Sequence, residues 1–183
     1  FAHGSGRGSS SEGSAGHAKP AVRSAGISDA GKLREINEDA WACRDDLGVF
    51  VVADGLGGHQ AGELASRMVV AALEGVDGEA GGDARVGQLV RSFNVANRCL
   101  RVLAERAVDI RLAASTVVAL VIEDHAAVCL WAGDSRIYRA RDGRVEQLTD
   151  DHSEAARGAI ESRAVTRAVG GAVPCPQPTW VCS

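Results

Sequence analysis

The spacing of apolar residues predicts one strand and two helices in the first part of the chain. Residues 47–53 (LGVFVVA) form a continuous apolar run followed by Asp-Gly, which is typical of a buried strand that ends in a turn. Apolar residues then recur at intervals of three and four from Ala61, which predicts an amphipathic helix that ends at Gly75. The same spacing, with arginines on the other face, predicts a second helix over 84–108.

Strand patterns dominate after the second helix. Two apolar runs, 115–122 and 126–132, are separated by a short polar turn, and this arrangement predicts a hairpin. A second hairpin is predicted from 135–140 and 144–149, which flank an Asp-Gly turn. Helices followed by hairpin-linked strands favour an α+β fold, and its sheets should be antiparallel because the connections are too short for crossovers.

Three further segments lack a strong apolar face. Ten of the first seventeen residues are Gly or Ser, so 1–22 is predicted to be a flexible linker before a folded domain at 23–171. Residues 154–168 are predicted to form a short helix, although its amphipathic character is poor. Three of the four prolines lie in the last stretch, so 172–183 is predicted to be an irregular tail.

Composition excludes several classes of protein. The chain has 183 residues, which suits one domain, and its formal net charge of −4 argues against nucleic acid as a partner. No run approaches the ~20 apolar residues of a membrane-spanning helix, and the start lacks an apolar signal sequence. We therefore expect a cytoplasmic protein without a membrane segment. Because the first residue is Phe1, we also expect the chain to be a piece of a longer protein.

The cysteines show neither the spacing of a metal site nor that of a disulfide framework. Their number is odd, and no C-x-x-C pair is formed by Cys43, Cys99, Cys129, Cys175 and Cys182. This pattern favours reduced, buried thiols over disulfides or zinc ligands. We predict that Cys43, Cys99 and Cys129 serve in packing.

Candidate chemistry is concentrated in one acidic window between Ser28 and His59. Its seven acidic residues are Asp29, Glu35, Glu38, Asp39, Asp45, Asp46 and Asp54. Asp54 follows the predicted buried strand and precedes Gly55, so its carboxylate would be fixed while the glycine lets a carbonyl approach an ion closely. Oxygen ligands of this kind favour Mg²⁺ or Mn²⁺ over zinc. The alternative is that the Asp-Gly pair only forms a turn.

Five motifs in order give the chain a family resemblance. They are REINED at 34–39, VVADGLGGH at 51–59, AGDSRIY at 132–138, LTDDHS at 148–153 and TRAVG at 166–170. The chain resembles the metal-dependent Ser/Thr protein phosphatases of the PP2C (PPM) family, bacterial type, from about Ser28 to Gly171. The resemblance implies a sandwich of two mostly antiparallel β-sheets flanked by helices.

The resemblance also implies a role for each carboxylate of a metal centre. Glu38 and Asp54 would bind metal, with Asp54 bridging two ions and the backbone carbonyl of Gly55 adding a ligand. Asp39 would support them from outside the ligand set, and Asp134 would contribute to a third metal site. Two or three Mn²⁺ or Mg²⁺ ions would then activate a water for direct attack on phosphorus.

Two further residues are implied, and each assignment has an alternative. Arg34 would bind the substrate phosphate, because a guanidinium pairs with two phosphate oxygens at once. Alternatively, Arg34 only pairs with Glu38 four residues later, Glu38 is solvated, and Asp134 is a turn residue. His59 is a candidate general acid. However, animal-type members carry their catalytic histidine directly after the Asp-Gly, where this chain has Leu56, so His59 is better suited to orienting the turn.

The sequence departs from the family pattern after Gly171. Two aspartate motifs that normally complete the two-metal centre are absent, and 171–183 contains no acidic residue. The resemblance therefore implies a C-terminally truncated domain whose fold is incomplete at that end, with an unpaired sheet edge. We expect weak metal affinity and little or no activity. The segment between Ser153 and Val165 is also short, which suggests a trimmed flap.

Two kinds of function are compatible with this resemblance. The first is a hydrolase of bacterial signalling that removes phosphate from phosphoserine and phosphothreonine on proteins, namely the substrates of a Ser/Thr kinase, and acts as a monomer. The second is a catalytically deficient pseudophosphatase, or a regulatory binding domain of the same fold. An unrelated metal-binding α+β domain is the remaining alternative.

Overall fold

In the computed structural model of the protein, two helices pack on one face of a six-stranded antiparallel sheet. The structure describes residues 22–32, 35–58, 60–78, 80–108, 110, 112–123, 126–158, 162, 164–171 and 177–182. The strands of the main sheet are β1 (Asp39–Arg44), β2 (Val49–Leu56), β3 (Ala114–Ser115), β4 (Val117–Ile122), β5 (Ala126–Ala132) and β8 (Gln177–Cys182). Their order is β1-β2-β4-β5-β8, and β3 pairs with the end of β2. A separate two-stranded sheet consists of β6 (Tyr138–Arg141) and β7 (Arg144–Gln147).

The helices bury their apolar stripes against alternate residues of the strands. Helix α1 (Gln60–Val70) continues as a 3-10 turn (Ala71–Gly75), and α2 spans Gly82–Arg106. Side chains with a relative exposure of 1% or less form the centre of the core: Val49, Val51, Val69, Leu89, Phe93, Leu100, Val117, Val121, Val128 and Leu130. The period of two in the strands and the 3.6-residue period in the helices thus meet in one apolar layer.

Most predicted elements are confirmed, with shifts of a few residues at their ends. The predicted strand at 47–53 is β2, and the second predicted helix is α2, which lies two residues earlier than predicted. Residues 126–132 form β5 as predicted, paired antiparallel with β4. The hairpin around Asp142 and Gly143 also forms, and both residues have the positive φ (51° and 72°) that such turns require.

One prediction about local structure is wrong, and one strand was not predicted. In place of the helix predicted over 154–168, the described residues of that segment form a 3-10 turn at Ala155–Arg157, and Val165 forms an isolated bridge with Ser153. That segment has no continuous apolar stripe, so packing gives a helix no support there. In addition, β1 was not predicted. It is an edge strand in which polar and apolar residues are all exposed or only partly buried, and it lacks a continuous apolar run.

The tail is also more regular than its composition indicates. Residues 177–182 form β8, which pairs antiparallel with β5 along its length. The prediction of an irregular tail, which rested on the prolines, is therefore wrong for 177–182. Pro178 is tolerated because β8 is an edge strand, where one N–H can be missing. We expected an unpaired sheet edge at the C-terminal end of the domain; β8 covers β5 there and is itself the edge strand.

A bidentate ion pair ties the small hairpin to the following loop. Arg136 donates from Nε to Asp151 Oδ1 at 2.8 Å and from Nη2 to Oδ2 at 2.5 Å, and its Nη1 lies 3.2 Å from the hydroxyl of Tyr138. The hydrogen bond from Arg136 lowers the pKa of Asp151, and the same bond raises the pKa of Arg136. Both groups are consequently charged at neutral pH, and the fork geometry fixes the loop after β5.

The three cysteines whose side chains the structure describes are free, and not all of them serve in packing. Cys129 is buried in β5, and burial raises the pKa of its thiol. Cys43 is half-buried, whereas Cys99 is exposed on α2, so its predicted packing role is wrong. Cys175 and the side chain of Cys182 lie outside the described residues. Among the helices described, none has the length and apolar character needed to cross a membrane.

Candidate active site

The predicted metal-binding carboxylates lie at the same end of the β1–β2 ladder, but on both faces of the sheet. Asp39 pairs with Asp54 in the register of these strands, and the N–H of Gly55 donates to the carbonyl of Glu38 at 3.0 Å. Cross-strand partners share a face of the sheet, and successive residues alternate between faces. Asp39 and Asp54 therefore lie on the face away from the helices, whereas Glu38 and Gly55 lie on the helix face.

Close packing of α1 against β2 buries Glu38. Its exposed fraction is 8%, and a Cβ on Gly62 of α1 would collide with the Glu38 carboxylate. A Cβ on Gly55 would overlap the backbone carbonyl of Gly62. Two glycines thus allow the helix to approach the strand, and the lack of a side chain at Gly62 makes room for the Glu38 carboxylate.

The two polar groups of the Asp54 backbone are bonded to Ser115, at the end of β3, and to Thr116, between β3 and β4. Its N–H donates to the hydroxyl of Thr116 at 3.1 Å, and its carbonyl accepts from the N–H of Thr116 at 2.8 Å. The hydroxyl of Ser115 donates to the same carbonyl at 3.1 Å. Ser115 and Thr116 are both completely buried, so these bonds are shielded from water. A half-buried carboxylate is therefore presented from a rigid peptide at the end of β2.

A cavity of about 540 Å³ lies on the Asp54 face of the sheet. Asp39 and Asp54 supply its carboxylates, and Val52 and Val118 supply part of its apolar wall. Ser135 lines the same cavity, as does Arg136, whose guanidinium is held by Asp151. The cavity combines fixed carboxylates with apolar surface, which suits a bound cation beside a larger ligand.

Asp134 is exposed in the turn that follows β5. Its neighbour Gly133 has φ +117°, and a Cβ there would lie 2.6 Å from the side chain of Thr116. Gly133 also donates to Nδ1 of His152 at 3.3 Å and accepts from the N–H of His152 at 2.8 Å. The ring of His152 stacks on Trp131, with centroids 6.0 Å apart. This turn is thus held by β-sheet residues on one side and by the His152 loop on the other.

The donor atoms at this site are of the type that binds a hard divalent ion. The carboxylates near the end of β2 are oxygen donors, which suit Mg²⁺ or Mn²⁺, and Gly62 has the Glu38 carboxylate where its Cβ would otherwise be. These donors are few. Among the described residues, no three His, Cys, Asp or Glu side chains lie close enough together to hold an ion. Arg34 and His59 lie outside the described residues, so their predicted roles stay predictions.

Sequence reasoning missed three residues of this site. Thr116 and Ser115 hold Asp54, and Gly62 makes room for Glu38. Thr116 follows Ser115 in an apolar run, which reads as an ordinary strand, and Gly62 lies inside a regular helical pattern. One available signal was that a glycine on the buried face of a helix costs stability, so it indicates a close approach.

Comparison with known proteins gives one consistent result. The sequence model of the Protein phosphatase 2C family matches residues 32–168. The serine/threonine protein phosphatase PstP of Mycobacterium tuberculosis is 34% identical over 130 residues, which are 71% of this chain and 25% of that protein. The serine/threonine phosphatase stp of Listeria monocytogenes is 32% identical over 132 residues, which are 68% of this chain and 52% of that protein. The chain thus spans between a quarter and about half of these relatives.

Solved structures agree with the sequence comparison. PppA, described as a key regulatory component of T6SS in Pseudomonas aeruginosa, superposes with a TM-score of 0.82 at 36% identity, covering 87% of this chain and 71% of that one. The catalytic domain of PstP in complex with two manganese ions superposes with a TM-score of 0.74 at 29% identity, covering 86% and 70%. The matched range includes the Asp54 strand end and the turns around it. The chain belongs to the protein phosphatase 2C family.

Proposed function

We propose that this chain is part of a protein serine/threonine phosphatase and that Asp54 is the main carboxylate of its metal centre. The observation that carries the proposal is the fixed Asp54 peptide, which presents a carboxylate to a cavity that Asp39 also lines. The names of the relatives support it, since both are serine/threonine phosphatases. The manganese complex of PstP supports a divalent ion as cofactor.

The proposed roles are those that the family resemblance implies. Asp54 would bind the ion, Glu38 would have to reach it from the other face of the sheet, the carbonyl of Gly55 would be a further ligand, and Asp39 would be a supporting carboxylate. Asp134 would serve a third ion. When bound, two or three Mn²⁺ or Mg²⁺ ions supply a water of lowered pKa, which can act as the nucleophile near neutral pH.

The substrate side of the proposal concerns Arg34 and the cavity. Arg34 would hold the phosphate of a phosphoserine or phosphothreonine, and the apolar wall at Val52 and Val118 would contact the rest of the substrate. We propose phosphoproteins made by a Ser/Thr kinase as the substrates, and a monomer in the cytoplasm as the working form. His59 would orient the glycine-rich turn.

A second candidate is a catalytically deficient domain of the same fold that binds phosphoproteins without hydrolysing them. The observation in its favour is that the described residues bring fewer than three side-chain donors together. With so few donors we expect weak metal binding, and a water on a weakly held ion is available for only a fraction of the time.

Phosphate release from a phosphothreonine peptide, measured with and without Mn²⁺, separates the two candidates. We expect slow turnover at most, dependent on Mn²⁺ and abolished by Asp54→Ala, because removing this carboxylate removes the main ligand. A rate that is the same in the Asp54→Ala chain would contradict the phosphatase proposal. Peptide binding without any Mn²⁺-dependent release would favour the deficient domain, and rapid turnover would show that the centre is complete.

A further inference from the structure

Thr116 contacts both sides of the candidate site. It lies between β3 and β4 and is completely buried. Towards β2, its hydroxyl accepts from the N–H of Asp54 at 3.1 Å and its own N–H donates to the Asp54 carbonyl at 2.8 Å. One residue therefore satisfies both polar groups of the Asp54 backbone.

The same side chain holds both neighbours of Asp134. The hydroxyls of Thr116 and Ser135 are 2.6 Å apart. On the other side, the Cβ and methyl of Thr116 pack so closely on Gly133 that an added Cβ there would be 2.6 Å from either atom. The residues before and after Asp134 thus both rest on Thr116.

The chemistry of threonine suits this double contact. A hydroxyl has one donor and two acceptor sites, so it can accept from Asp54 and still bond to Ser135. Because the hydroxyl and methyl share one Cβ, their relative position is fixed by covalent geometry, and the branching also restricts χ1 and thus their placement relative to the backbone. Serine would keep the hydrogen bonds of the hydroxyl but lose the methyl contact. Valine would keep the shape of the side chain but lose the hydrogen bonds of the hydroxyl.

We propose that Thr116 is a positioning residue, which sets the place of Asp54 relative to the Asp134 turn and thereby the metal affinity of the site. The inference rests on the proposed function, since it assigns Asp54 to a metal. Thr116 would not touch the ion itself. Groups that orient metal ligands typically change the metal affinity 10- to 100-fold when they are replaced.

Two substitutions and a matched control test this role. Thr116→Val removes the hydroxyl and keeps the shape, and Thr116→Ser keeps the hydroxyl. The control is Thr149→Val: Thr149 is also buried (3% exposed), and its hydroxyl also accepts a backbone N–H at 3.1 Å, from Ile137. Should Thr116→Val fail to fold, Ser135→Ala breaks the link to the Asp134 turn and leaves the Asp54 contact in place.

Two measurements are made on each variant. The first is hydrogen exchange of the Asp54 amide by NMR without metal, which reports directly on the hydrogen bond from this amide to the Thr116 hydroxyl. The second is the Mn²⁺ dissociation constant from electron paramagnetic resonance. We expect Thr116→Val to speed exchange at Asp54 and to raise the dissociation constant about tenfold. Thr116→Ser and Thr149→Val should change neither by more than about threefold, and Ser135→Ala should weaken Mn²⁺ binding while exchange at Asp54 stays slow.

The outcomes distinguish this inference from the proposed function. Unchanged exchange at Asp54 in Thr116→Val would contradict the proposal that the Thr116 hydroxyl holds the Asp54 amide. Faster exchange with unchanged Mn²⁺ affinity overturns the positioning role, as does equal weakening by Thr149→Val. If Asp54→Ala binds Mn²⁺ as the unaltered chain does, the metal assignment itself is wrong, and this inference is overturned with it.

Discussion

Replacing Arg85 by methionine should lower the free energy of unfolding by about 3 kcal/mol, the lower end of the range for breaking a buried ion pair. Arg85 is 3% exposed at the start of α2. Its Nη2 donates to Glu123 Oε1 at 2.6 Å, and its Nη1 donates to the carbonyl of Leu47 at 2.8 Å. One side chain thus ties α2 to the turn before β2 and to the end of β4.

Methionine fills a similar volume but leaves the Leu47 carbonyl without its donor and Glu123 without its counter-charge. The lower end of the range applies because the Glu123 side chain is 28% exposed and can regain some water. A loss of this size is a large fraction of the 5–15 kcal/mol that stabilises a typical domain.

Urea unfolding followed by circular dichroism measures this effect. The matched control is Arg98→Met, since Arg98 is exposed on the same helix, and it should change stability by less than about 0.5 kcal/mol. Equal stabilities of the Arg85→Met and Arg98→Met chains would contradict the assigned role of the pair.

Alanine at Gly55 should lower stability by about 1–3 kcal/mol, as expected for overpacking in a tight interior. The added Cβ would overlap the carbonyl oxygen, the carbonyl carbon and the Cα of Gly62. These are backbone atoms and cannot rotate away. Either α1 or the end of β2 must shift, and Asp54 is the residue directly before the shift. The substitution should therefore weaken Mn²⁺ binding together with the fold.

Gly87→Ala is the control for this substitution and should act in the opposite direction. Gly87 lies inside α2, and a Cβ there would meet only the end of the flexible Arg91 side chain, 3.3 Å away. Alanine in a helix interior is better than glycine by about 1 kcal/mol. Thermal unfolding of both variants makes the comparison, and a stabilised Gly55→Ala chain would contradict the close approach of α1 to β2.

The sequence predicted elements best where an apolar run was bounded by turn residues. Residues 126–132 met that condition and form β5 at those limits. β1 was missed because an edge strand buries little surface. The helix predicted over 154–168 was wrong because that segment has no apolar stripe to support it. β8 was missed because its proline counts against a strand in general but not at an edge.

The candidate site shows the same division between local and long-range information. Asp54 could be predicted because a buried strand, an aspartate and a glycine are adjacent in sequence. Thr116 could not, since its function depends on contacts with β2 and with the turn after β5, which only the fold brings together. The opposite faces of Asp54 and Glu38 also depend on the register of β1 and β2.

A Mn²⁺ titration of the unaltered chain and of Asp54→Asn tests the central claim most directly, namely that Asp54 is the main metal-binding carboxylate. Asparagine keeps the size of the side chain and the backbone bonds to Thr116 while it removes the charge. We predict weak binding by the unaltered chain and an affinity at least about tenfold lower in the variant. Equal Mn²⁺ affinities of the two chains, both folded, would contradict the account.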